Sequence, residues 1–213
     1  MRITNRQAED WPSDMVISVK PREYHILLLL YIRAAWGLTV CPEIPNLDPT
    51  PRTGKSAAPA TTAVSTWERR WERGWRRAWQ WYQIEDVTRQ RPTPELLQRL
   101  ARPGQELHPS YPPMWSNEHG MEGIDLESYE RWITDIHHTN LASPTHRHSL
   151  ANQPEHVCLR ELKEAWRTGL DTILCLPYKG DFACRFTERH LAVSLSTRRD
   201  EGAYRRALQM RAS

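Results

Sequence analysis

The chain has 213 residues, 39% of them hydrophobic and 26% charged, with a formal net charge of +3. That length can bury a real core, and so mild a charge excludes reading a nucleic-acid or membrane partner from charge alone. The opening MRITNRQAEDWPSD has no apolar signal-peptide segment, and the longest apolar run, Ile26 to Ile32, is far short of the roughly 20 residues that span a bilayer. A cytoplasmic protein with no membrane partner is the expectation.

Met15 to Val19 read as a short strand. PREYHILLLLYIRAAWG follows as a helix, with Pro21 near its first turn, apolar residues on nearly every side and Gly37 as its stop. Such a helix belongs at the centre of a core, and His25 within it reads as a buried, hydrogen-bonded histidine. From 42 to 66 the composition shifts to Pro, Thr and Ala, a loop or linker within what is expected to be one globular domain over 1–213. The TGKS inside it, Thr53 to Ser56, lacks the first glycine of a phosphate loop, where Pro49 stands, and no strand precedes it.

WERRWERGWRRAWQW, from Trp67 to Trp81, spaces four tryptophans at every fourth position. Ser65 and Glu68 have the spacing of a capping box. At about 100° per residue, Trp67, Trp71, Trp75 and Trp79 fall within about 120°, while Arg69, Arg70, Arg73, Arg76 and Arg77 lie between about 180° and 300°. A stacking platform for nucleic acid interleaves rings and cations on one surface. This helix separates them, so the tryptophans form one side of a core, packed against the Tyr24 to Trp36 helix, and the arginines form a solvated face.

Thr93 to Pro103 read as a short helix, and 103–123 as a long loop in which Trp115 is pinned to the core. Asp125 caps the next helix, whose stripe is Leu126, Tyr129, Trp132, Ile133 and Ile136. Pro154 begins another, closed by Gly169. TILCLPY, FACRF and HLAVSLS then read as strands, with Ser194 and Ser196 pointing outward, and Thr197 as the cap of a last helix whose Tyr204 and Leu208 face inward. The expected fold class is α+β, mainly helical, with a small antiparallel sheet near the C-terminus.

Three sets of residues carry candidate chemistry. His137, His138, His146, His148, His156 and Cys158 supply imidazole and thiolate for a zinc-like ion beside Asp135, although no defined ligand spacing occurs among them. Glu118 and His119, adjacent in the loop, are candidate general bases together with Asp135. Arg69, Arg73, Arg76 and Arg77, and the C-terminal Arg198, Arg199, Arg205 and Arg206, are candidate phosphate contacts. Cys41, Cys158, Cys175 and Cys184 are scattered, without a CxxC pair, and read as reduced thiols. The leading expectation is a non-enzymatic protein that binds another protein or itself and carries no cofactor. A zinc-dependent hydrolase or nuclease using 135–158 and a nucleic-acid-binding module using the arginine faces are the alternatives.

Overall fold

A computed structural model describes residues 11–39, 44–88, 112–141 and 152–212. The chain forms two compact units, Met1–Pro21 with Asn46–Pro49 and Asp135–Ser213, and Arg22–Pro45 with Thr50–Thr134. Among the described residues there are eight helices and one four-stranded sheet, a mostly helical α+β architecture.

The second unit is built around α1 (Tyr24–Trp36), in which every residue from His25 to Ile32 is buried. Gly37 ends it in the left-handed conformation, φ 63°, where a side chain would be strained. Against α1 lies α2 (Val64–Thr88), with Trp67, Trp71, Ala78 and Tyr82 buried; Trp75 and Trp79, expected in the core with them, are only half-buried. Three enclosed indoles find an acceptor: Trp71 donates to the Leu29 carbonyl at 2.7 Å, Trp67 to Pro59 at 3.2 Å and Trp36 to Gly123 at 2.9 Å. Burying a ring without satisfying its N–H would forfeit part of what the burial contributes. The helix starts at Val64, so Ser65 sits inside its first turn rather than capping it.

Two further helices complete the unit. Trp115, at the start of α3 (Trp115–His119), is buried between Trp36 and Trp67. α4 (Leu126–Leu141) buries Trp132 and Ile136 but leaves Leu126 50% exposed, while Ser128 in the same turn is buried. Asp125 caps α4 by accepting from the Ser128 N–H at 3.3 Å. The division between the units falls within this helix, after Thr134. The Pro-rich segment is held in place: the Lys55 N–H donates to Asp125 Oδ2, the Ala57 N–H to Gly123, and Ser56 Oγ accepts from the Asp125 N–H. The expected helix over 93–103 lies outside the described residues.

In the first unit the sheet order is β1-β2-β4-β3, from β1 (Ser18–Lys20), β2 (Thr172–Leu176), β3 (Ala183–Arg185) and β4 (His190–Ser194). β1 with β2 and β2 with β4 pair parallel, and only β3 with β4 is antiparallel. The sheet is therefore mixed, which corrects the antiparallel expectation. Every residue of β2 and β4 is buried, the signature of strands covered on both faces, as parallel strands are. Around it stand α5 (Pro154–Val157), α6 (Leu159–Arg167), α7 (Leu195–Arg199) and α8 (Glu201–Leu208).

The end of β4 departs from the expected strand. Ser194 is wholly buried and caps α7, its hydroxyl accepting from the Thr197 N–H at 3.1 Å, while Ser196 lies exposed on that helix. α8 is capped by Asp200, which accepts from the Ala203 N–H, so Thr197 is not its cap. Thr197 instead accepts from the Phe182 N–H and ties the β3 hairpin to α7. Tyr204 and Leu208 face inward as expected.

Candidate binding face

The arginines divide by what they touch. In the first unit Arg198 is taken up by Glu155, with Nε to Oε1 at 2.9 Å and Nη2 to Oε2 at 2.8 Å, a forked pair with both side chains nearly enclosed. Burial pushes the Glu155 carboxyl up, but the Arg198 hydrogen bonds and charge outweigh it, so the group lies below its ordinary value. Tyr204 donates to the same carboxylate at 2.9 Å. Arg205 pairs with Glu161 and Glu201, and Arg199 donates to the Thr139 carbonyl. Of the four C-terminal candidates, Arg206 is exposed and engages none of these partners.

Arg185, absent from the sequence-based candidates, is 4% exposed and donates to four oxygens: Thr168 Oγ1, and the carbonyls of Thr168, Glu188 and Met210. It closes the C-terminal ends of α6 and α8, where free carbonyls and the helix dipole favour a cation. Its position in a short apolar strand gives no hint of this in sequence.

On α2 the picture is reversed. Arg69, Arg73, Arg76 and Arg77 are exposed, opposite the buried indoles. Arg76 pairs with Glu72 at 3.0 Å along the helix, Arg69 donates to Thr66 Oγ1, and Arg77 reaches Glu118 Oε1 at 2.5 Å. Exposed pairs of this kind contribute little to stability, so these cations remain available to a partner. Arg70, three residues from Trp67, sets its guanidinium 4.7 Å over that ring. The i, i+3 spacing of Trp67 and Arg70 carried the signal for this contact.

The candidate bases do not form a dyad. Glu118 is engaged by Arg77, whereas the His119 ring lies 4.5 Å from Trp115. Burial and the Arg70 charge hold His119 below the ordinary imidazole value, against the opposing pull of Glu118. Asp135 is exposed on α4.

The zinc candidates are spread out. His137 and His138 are neighbours on α4 with ring centroids 6.2 Å apart, and successive helical residues diverge by about 100°. His156 packs on Trp11 at 5.3 Å. Cys158 is buried with its thiol directed at the Glu201 carbonyl, and burial pushes that thiol up to about 11, so it is no ready thiolate. His146 and His148 lie outside the described residues. Among the described residues no three His, Cys, Asp or Glu side chains are grouped to hold an ion. Cys158, Cys175 and Cys184 are free thiols.

Beside the TGKS segment, Lys55 and Gly123 to Glu127 line a shallow depression. Gly54, at φ +56°, lies so close to Asp125 and Ser128 that an added Cβ would collide with Asp125 Oδ2 and Ser128 Oγ. TGKS thus packs against the cap of α4. Among the described residues no helix is long and apolar enough to cross a membrane. No protein family matches the chain, and no curated protein or solved structure is significantly similar to it.

Proposed function

We propose that the chain is a non-enzymatic cytoplasmic binding protein that engages an acidic protein surface through the exposed side of α2. One observation carries this reading: Arg69, Arg73, Arg76 and Arg77 share a solvent-facing side of a helix whose opposite side is fixed in the core by Trp67 and Trp71. A rigid helix presenting guanidinium forks loses little order on binding carboxylates, and Arg suits that contact geometrically. The same face meeting its own copy would set like charges together, which favours a different partner over self-association. The separation of rings from cations favours protein over single-stranded nucleic acid, where the two act together. Free cysteines fit a reducing compartment.

The test is fluorescence anisotropy with a labelled polyglutamate peptide and a duplex DNA of equal charge. The peptide is expected to bind more tightly, to weaken with added salt, and to lose about tenfold or more in affinity when the four arginines are changed to glutamine. Tighter binding to DNA with a steep salt slope would turn the reading toward nucleic acid. Indifference of both probes to the four substitutions would remove α2 as the contact surface.

A further inference from the structure

The cationic side of α2 has one point where a second element adds to it. Arg70 covers Trp67 at 4.7 Å, and from α3 the His119 ring approaches the same indole at 6.3 Å while resting on Trp115 at 4.5 Å. Two nitrogen-bearing groups from two helices therefore flank one ring. Arg73 stands a turn further along, exposed, and among the described residues neither Arg70 nor Arg73 has a carboxylate partner. The neighbouring carboxylate, Glu118, is paired with Arg77 at 2.5 Å. From α1 the residue against this point is Trp36, uncharged, 5.7 Å from Trp115.

We propose that Arg70, Arg73 and His119 form a subsite for a phosphomonoester, which a partner protein would carry on a side chain. This rests on the α2 reading above and names the group that the face takes. Two unpaired guanidiniums beside an imidazole leave positive charge uncompensated, and a dianion with three acceptor oxygens matches it better than a carboxylate, which brings one charge and two oxygens. His119 adds a proton-linked component. Burial and the charges of Arg70 and Arg73 work against its protonated form, with Glu118 opposing, so the free protein keeps it neutral to lower pH than a solvated histidine. A bound dianion reverses the sign of the local field, and the imidazole takes up a proton as the third cation. While the ester keeps its second charge, whose own pKa lies near 6, binding of the phosphate group and protonation of His119 therefore favour each other.

The experiment follows the His119 ring by NMR across pH in the full chain, with inorganic phosphate or with chloride at equal ionic strength. Phosphate is expected to raise its midpoint by on the order of one unit. Arg70→Gln with Arg73→Gln should abolish that response, and the exposed Arg73→Gln alone should reduce it, with indole N–H resonances reporting that the fold is kept. A midpoint that phosphate moves no more than chloride, or that moves equally in the double variant, overturns the proposal. A peptide comparison separates this from the wider reading. A phosphoserine peptide is expected to bind about tenfold more tightly than its glutamate counterpart. Equal binding of the two overturns the subsite and leaves α2 as an acidic-partner face. If neither peptide binds, the α2 reading and the partner-borne phosphate fall together.

Discussion

Glu155 shows what one buried carboxylate commits the first unit to. It is 5% exposed, forked to Arg198 and bonded by Tyr204. Removing one member strands a buried charge, so Glu155→Ala is expected to cost about 3–5 kcal/mol in urea unfolding. Glu155→Leu with Arg198→Met should recover part of that loss, because the desolvation of both ions goes with them while the buried Tyr204 hydroxyl loses its acceptor. The pH dependence has a definite sign. A carboxyl lowered in the folded state contributes fully above its unfolded value near 4.5, and that contribution is lost as pH falls through the folded value. Wild-type stability should therefore drop below about pH 4.5 more steeply than that of the double variant. His119 adds a shallower loss in the window below the ordinary imidazole value of 6.5, since the unfolded chain binds a proton there that the folded chain does not. Arg185→Lys tests a different residue-scale point: one ammonium cannot span the carbonyls of Thr168, Glu188 and Met210, and about 2 kcal/mol should be lost in the same assay.

At the scale of elements, α2 makes a contrast that thermal unfolding can read. Trp71, 1% exposed and bonded to the Leu29 carbonyl, is expected to cost about 3–5 kcal/mol on change to alanine. Arg73→Ala, on the other side of the same helix, should stay within about 0.5 kcal/mol. Gly54→Ala is expected to destabilise through both a positive φ and a close approach to Asp125 Oδ2, by more than 1 kcal/mol in order of magnitude. The two faces of α2 were legible in sequence because period alone separates Trp67 and Trp71 from Arg69 and Arg73. The end of β4 was not. HLAVSLS runs on as one β-rich stretch, and only the capping bond from the Thr197 N–H to Ser194 Oγ shows that the chain has turned into a helix. Leu126 failed for another reason: at about 100° per residue it stands about 120° round from Trp132, at the edge of the stripe, and Ser128 in the same turn is the residue that is buried. Of the candidate face, the exposed arginines could be read from the sequence, whereas the meeting of Arg70 and His119 at Trp67 could not, because α2 and α3 are joined by contacts no local pattern encodes.

Across the whole molecule, the first unit is assembled from separated stretches of chain, with Arg22–Pro45 and Thr50–Thr134 belonging to the other unit. Asn46–Pro49 belongs to the first unit by backbone bonds: the Asp48 N–H donates to Pro177 and the Lys179 N–H to Asn46. Strand direction was illegible for the same reason. Local sequence shows three β-rich runs near the C-terminus, but β1 and β2 pair in parallel across about 150 intervening residues, and no window of sequence spans that distance. Deleting residues 1–20 should bare the β2 backbone at Thr172 to Leu174 and lower the urea midpoint, with the loss concentrated in amide exchange of β2 rather than of α1.

The same pairing has a meaning for how the protein is made. At about 5–20 residues per second, β1 leaves the ribosome on the order of ten to thirty seconds before β2 exists to receive it. The α1 to α4 unit can condense in that interval, while Ser18 to Lys20 wait with their hydrogen-bonding groups in water. Synthesis therefore delivers an order of assembly that refolding from denaturant does not impose, and the yield of native sheet is expected to be higher from the ribosome than from a diluted, fully unfolded chain.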